Sequence, residues 1–168
     1  NASQTSLTGT ISGATWKSHT DCKNNGCVDF DGTDDVITTT NATAIDLNNG
    51  LAAGFTFSSW IYADSDGEGD TGQIFQKGTT TYCRTDSESG GNLDIECSLD
   101  LATSDATLNI ASAITTGSWN HIAVSYTDDA DDEITIWING KNRGSSTNGS
   151  GAPAAESSNL LLGGTTTA

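Results

Sequence analysis

Leu93-Asp94-Ile95-Glu96-Cys97-Ser98-Leu99-Asp100-Leu101 alternates apolar and polar side chains without a break. A period of two puts Leu93, Ile95, Cys97, Leu99 and Leu101 on one face of a strand and the acids on the other, as in an antiparallel sheet with one buried and one wet face. Working outward, Ile134-Thr135-Ile136-Trp137-Ile138-Asn139 reads as a second such strand, closed by an Asn139-Gly140 turn. The same patterning predicts strands at 28–30, 35–39, 55–62, 73–77, 81–85, 107–111, 119–126 and 159–162, with Gly, Asn, Asp or Ser in nearly every gap. No stretch sustains a 3.6-residue period, although 43–52 could hold one helical turn. Residues 144–158, rich in Gly, Ser, Ala and Asn around Pro153, read as a long surface loop. Many short strands with regular turns predict an all-β, antiparallel two-sheet sandwich.

The 168 residues suit one domain with a sizeable core. Six Lys and Arg against 22 Asp and Glu give a net charge of −16, while hydrophobic residues make up 34%. A surface this acidic repels nucleic acid and anionic membranes, so neither is expected as a partner. No run of 18 apolar residues is present, so no membrane insertion is expected. The opening Asn1-Ala2-Ser3 shows no leader pattern and reads as a processed or trimmed product.

Four cysteines allow three pairings. Cys83 and Cys97 each lie seven residues from Gly90, so a hairpin turning there sets them opposite one another, within disulfide reach. Cys22 and Cys27 then close a small loop. The rival reading, a metal site, has no CxxC spacing and only His19 and His121 to draw on. Disulfides point to an oxidising compartment. The sequons at Asn1, Asn41 and Asn148 and the threonine triplets agree, so a secreted or cell-surface glycoprotein is expected.

Five blocks together resemble one family. Phe30-Asp31-Gly32-Thr33-Asp34-Asp35-Val36, Phe55-Thr56-Phe57-Ser58-Ser59-Trp60-Ile61, Gly117-Ser118-Trp119-Asn120-His121-Ile122-Ala123-Val124-Ser125-Tyr126, Ile136-Trp137-Ile138-Asn139-Gly140-Lys141 and Leu160-Leu161-Leu162-Gly163-Gly164 are similar, in order and spacing, to the blocks of laminin-G-like, concanavalin-A-like jelly rolls. The resemblance covers roughly 14–164 and implies a jelly-roll sandwich. Members of that family usually continue after the Gly-Gly with a further strand, and no segment here resembles it. Omitting an interior strand leaves unpaired edges and an open groove, which something should fill; the candidates are the remainder of a longer chain of which this is a fragment, the N-terminal segment of the same chain, and the N-terminal segment of a neighbouring copy. The polar N-terminal arm 1–12, with Leu7 and Ile11 as its large apolar residues, reads as a candidate donor strand ahead of a jelly-roll domain at 13–168. Donation between copies would build a head-to-tail filament.

Chemistry is sparse. Asn92-Leu93-Asp94-Ile95-Glu96 is similar to the E-x-D-x-E strand of jelly-roll glucanases, in which two carboxylates sit about 5–5.5 Å apart. Asn92 stands at the nucleophile's position, and an amide cannot form the glycosyl ester, so no enzymatic activity and no organic cofactor are expected. Asp64-Ser65-Asp66-Gly67-Glu68-Gly69-Asp70 places oxygen ligands at alternate positions, as at the start of a calcium loop, making Asp64, Asp66, Glu68 and Asp70 the candidate Ca2+ ligands. Asp128-Asp129-Ala130-Asp131-Asp132-Glu133 is a second acidic turn. Trp16, Trp60, Trp119 and Trp137 read mostly as core, although an exposed Trp or Tyr62 could stack on a sugar. The leading reading is an extracellular, non-enzymatic structural or adhesive subunit that assembles a fibre from copies of itself. The alternative is a monomeric, lectin-like glycan-binding module assisted by calcium.

Overall fold

The structure, a computed structural model, describes residues 8–18, 20–39, 54–128 and 130–165. The described residues form thirteen strands, a one-turn 3-10 segment at Glu68–Asp70 and no α-helix. The strands are β1 (Gly9–Ser12), β2 (Thr15–Ser18), β3 (Gly26–Asp29), β4 (Val36–Thr39), β5 (Phe55–Tyr62), β6 (Thr71–Lys77), β7 (Thr81–Ser89), β8 (Asn92–Leu99), β9 (Ala106–Thr115), β10 (Trp119–Thr127), β11 (Glu133–Ile138), β12 (Lys141–Ser146) and β13 (Leu160–Leu162). A seven-stranded antiparallel sheet runs β1-β4-β13-β6-β7-β8-β9, a four-stranded one runs β12-β11-β10-β5, and β2 with β3 forms a separate ribbon. The architecture is the antiparallel sandwich that the alternation predicts.

The core lies where the two sheets overlap. Leu93, Ile95, Cys97 and Leu99 of β8 and Ile114 of β9 are fully buried, with Ile122, Val124 and Tyr126 of β10 and Ile134 and Ile136 of β11. Seven strands facing four leave the larger sheet partly uncovered. On β10 the inward residues are buried in turn, whereas Phe55, Phe57, Ser59 and Ile61 on β5 reach only half-burial. Strands β4 and β13 are likewise mostly half-buried.

Both disulfides form, Cys22–Cys27 and Cys83–Cys97, leaving no free thiol. The second pair faces directly across β7 and β8. The turn is Gly90-Gly91, both at positive φ (60° and 75°), which suits a two-residue hairpin. A two-residue turn alone would set Cys83 opposite Ser98. One extra residue, Ser87 at φ 45°, bulges out of β7 and restores the cysteine register.

Gly163 (φ 77°) and Gly164 end β13. A Cβ on Gly163 would enter the Phe30 ring, and one on Gly164 would meet the Asp35 carbonyl. The Phe-Asp-Gly block and the Gly-Gly block of the sequence are thus two halves of one packing contact.

Three expectations change. Gly9–Ser12 is not a spare arm: it pairs antiparallel with β4, Ile11 opposite Ile37 of the same chain, at the edge of the large sheet. The alternation of Thr10, Ile11 and Ser12 suits an edge strand, so of the two pairings open to the N-terminal segment, Gly9–Ser12 makes the one within its own chain; Leu7 lies outside the described residues. The stretch 144–158 is not wholly loop, because β12 runs to Ser146. The Asn139-Gly140 turn (φ 53° and 76°) sends this polar strand back along β11 despite its lack of an apolar face. Beyond it, the bridges Ser104–Ser150 and Leu101–Pro153 hold the loop down. Third, none of the four tryptophans enters the buried core. The helical turn expected at 43–52, and Asn1 and Asn41, lie outside the described residues.

Candidate functional site

Strand parity builds the most conspicuous surface. Phe55, Phe57 and Ile61 point inward, so Trp60 and Tyr62, out of phase with them, point outward and are 40% and 47% exposed. On β10 the residues out of phase with Ile122 and Val124 are Trp119, His121 and Ala123. Register then places Tyr62 beside Trp119 and Trp60 beside His121. The rings meet edge to face, at 5.6 Å and 5.2 Å between centroids. In the next row the small Ser58 and Ala123 lie alongside Trp137 of β11. The outer face of the four-stranded sheet therefore carries two aromatic rows, then a floor of small side chains, then a third indole.

The loop closed by Cys22–Cys27 brings the Lys23 ammonium over the Trp60 ring, 4.4 Å from its centroid. Behind the face, Asn120 is buried. Its Nδ2 donates to the Thr115 and Ser118 carbonyls (2.9 and 3.0 Å), and its Oδ1 accepts from Asn139 Nδ2 (3.1 Å). Asn139 Oδ1 in turn accepts the His121 N–H at 2.9 Å. This network fixes the two turns that flank the aromatic rows.

The glucanase-like string is occupied structurally. Glu96 accepts both Arg84 Nε and Nη2 on one oxygen (2.9 and 2.7 Å) and the Tyr82 hydroxyl on the other (3.2 Å). Burial and the Glu96 carboxylate push the Tyr82 phenol up; for Arg84, burial is the largest single influence and works downward, but the Glu96 hydrogen bond and the Glu96, Tyr82 and Asp86 charges together outweigh it, raising the guanidinium. Asp94 accepts the Ser112 N–H at 2.8 Å, and Asn92 Oδ1 accepts the Thr115 hydroxyl at 3.3 Å. These side chains tie β7, β8 and β9 together rather than converging on a reacting bond.

Among the described residues no three His, Cys, Asp or Glu side chains draw together as a metal would need. Asp64 and Asp70 are exposed and Asp66 half-buried, while the Glu68 side chain lies outside the described residues. Asp66 turns its backbone inward, its carbonyl accepting the Thr85 hydroxyl at 3.4 Å. In the second acidic turn, Asp132 braces the fold: Oδ1 accepts the Tyr126 hydroxyl (2.9 Å) and Oδ2 the Gly151 N–H (3.1 Å). Asn148 is exposed, and its amide pairs with Thr107 through two 2.9 Å bonds.

A two-layer antiparallel sandwich with aromatic rings displayed on a sheet face defines an antiparallel β-sandwich class, and the fold by itself assigns no activity. The match of residues 31–168 to the family described as the concanavalin A-like lectin/glucanases superfamily is more specific: the chain belongs to that family. No curated protein matches it in sequence. Among solved structures it is similar to the binding domain of Paraclostridial Mosquitocidal Protein 1 (16% identity, TM-score 0.63, 91% of this chain and 40% of that one). It is also similar to the botulinum neurotoxin serotype D binding domain (15% identity, TM-score 0.60, 94% and 38%). A third likeness is to the Ruminococcus gnavus IT-sialidase CBM40 bound to α2,3 sialyllactose (15% identity, TM-score 0.50, 71% and 72%). At these identities the likeness is one of fold. The chain spans about two-fifths of the length of the first of these.

Proposed function

We propose that this domain is an extracellular, non-enzymatic glycan-binding module, and that the ligand lies on the outer face of β5, β10 and β11. The observation that carries the reading is Trp60 and Tyr62, held outward on a packed sheet. Large exposed rings cost solvation and are otherwise uncommon on a monomer's surface. An indole offers a sugar ring a flat apolar face, and His121, Ser58 and Ser125 offer polar atoms beside it. The net charge of −16 favours neutral over sialylated or sulfated glycans, because an anionic sugar would meet repulsion. Two buried or loop-closing disulfides fit an oxidising, extracellular setting.

A fibre built by donating residues 1–12 is the weaker reading, since Gly9–Ser12 already pairs within its own chain. The experiment is a glycan array probed with the intact chain, run in calcium and in EDTA, with sedimentation at several concentrations. A neutral-glycan signal from monomeric protein supports the module. No signal, together with concentration-dependent high-mass material, would favour the fibre.

A further inference from the structure

The edge of β5 opposite β10 supports a different inference. His121 directs its N–H and C=O to Asn139, at 2.9 and 2.8 Å, on the β11 side. Backbone groups alternate sides along a strand, so Asn120 and Ile122 face β5, and their partners Ile61 and Ser59 face back. By the same alternation, Thr56, Ser58, Trp60 and Tyr62 turn their N–H and C=O groups to the free edge. Among the described residues no strand pairs with them. The Trp60 carbonyl there accepts the adjacent Ser59 hydroxyl at 3.3 Å.

That edge borders a groove of about 1450 Å³. Its apolar walls include Phe57 and Ile61 of β5, Val36 and Ile37 of β4, and Leu162 of β13. The volume exceeds the roughly 300–1,000 Å³ of small-molecule sites. A groove with an apolar wall, running beside a strand edge that no described strand pairs with, is a setting for strand addition.

We propose that the β5 edge takes an added strand from a partner polypeptide that alternates apolar residues with Lys or Arg. The apolar side chains would enter the slot over Val36 and Leu162, completing the burial that Phe57 and Ile61 lack. The outward positions would lie along the Trp60 side, where a lysine ammonium already rests on the ring. Charge sets the partner's sign. Exposed Asp31, Asp34 and Asp64 line the groove, Lys17 is paired with Asp29 at 3.3 Å, and the whole chain carries −16. A second copy would bring −16 to meet −16, so a basic segment is the favoured occupant.

The probe is the synthetic peptide Lys-Val-Lys-Ile-Arg-Val-Lys-Ile-Lys, about 30 Å long when extended, titrated against the intact chain by fluorescence anisotropy. Its controls are a same-composition peptide with the apolar residues clustered, one with backbone N-methyl groups at alternate residues, and one with Glu in place of every cation. Each control should bind at least about tenfold more weakly, equivalent to about 1.4 kcal/mol. The parent's affinity should fall with added salt, and β5 amides should gain exchange protection. In the protein, Ser58→Pro removes an edge donor without breaking the β10 ladder; it should cost at least about tenfold with thermal stability retained. Should that variant not fold, the N-methyl peptide on the native chain carries the same test. Equal binding of parent and N-methylated peptides, or no β5 protection at about millimolar peptide, overturns the proposal. Concentration-dependent dimers with β5 protected overturn the choice of partner, making the occupant a second copy. Glycan binding is read separately, so either proposal can fail alone.

Discussion

Replacing Trp60 by alanine tests the aromatic face with a magnitude that can be worked from its exposure. A tryptophan presents up to about 250 Å², and 40% of it is open at Trp60, or about 100 Å². At about 25 cal/mol per Å², covering all of it would contribute about 2.5 kcal/mol, and a sugar on one face of the ring about half, 1.2 kcal/mol. That is about an eightfold rise in Kd. The assay is calorimetry with the strongest neutral oligosaccharide from the array. Trp60→Ala and Tyr62→Ala should weaken binding by similar factors, since their exposures are similar. Tyr82→Phe, on the far face of the other sheet, should leave Kd unchanged. Trp60 lies outside the buried core, so its removal should leave the circular dichroism intact. A Trp60→Ala protein that binds within about twofold of wild type, with its fold unaltered, would refute the placement of the ligand.

Asp100 is raised chiefly by burial and then by the Asp105 and Glu156 charges. A raised carboxyl contributes stability below its unfolded pKa and loses it as pH rises through the folded value. Asp100→Asn should therefore raise the urea midpoint near neutral pH, a gain that vanishes below about pH 3. Glu156 has the opposite sign: hydrogen bonds from the Ser158 N–H and hydroxyl hold it below the usual range, so Glu156→Gln should cost stability near neutral pH and nothing in strong acid. Asn120→Ala removes three bonds from a buried site and should cost about 2–4 kcal/mol, read as a lower midpoint at unchanged slope. Calcium added to the EDTA-treated chain tests the 64–70 loop: a rise in melting temperature that Asp64→Asn abolishes would place an ion there, and an unmoved midpoint would leave Asp64 and Asp70 as exposed turn residues.

Much of the sandwich was readable because parity and burial coincide. The strand expected at 55–62 is β5 residue for residue, and the run 93–101 differs from β8 only at its ends. The tryptophans read mostly as core by hydrophobicity, yet the signal for the outer face is present. Trp60, Trp119 and Trp137 each fall out of phase with Phe57, Ile122 and Ile136 on their own strands, and phase outranks hydrophobicity in deciding a side chain's face. Strand β12 could not be read from composition, since Lys141-Asn142-Arg143-Gly144 has no apolar side; the preceding turn and the β11 ladder make it a strand. The Cys83–Cys97 pair was anticipated through a turn centred on Gly90, whereas the chain uses a shorter turn and the Ser87 bulge. The acidic loops show what composition hides: Asp132 is a structural brace for Tyr126 and Gly151, indistinguishable in sequence from the acids around it.

The position of β13 bears on how the polypeptide matures at the ribosome. This strand lies between β4 and β6, and its Leu160 N–H reaches the Thr39 hydroxyl across 121 residues. During synthesis β6 through β9 can zip as successive hairpins while β4 waits for a neighbour that emerges after every other described strand. Until then the half-built sheet shows two sticky borders to its surroundings. Closure of that gap should be the slow step of maturation.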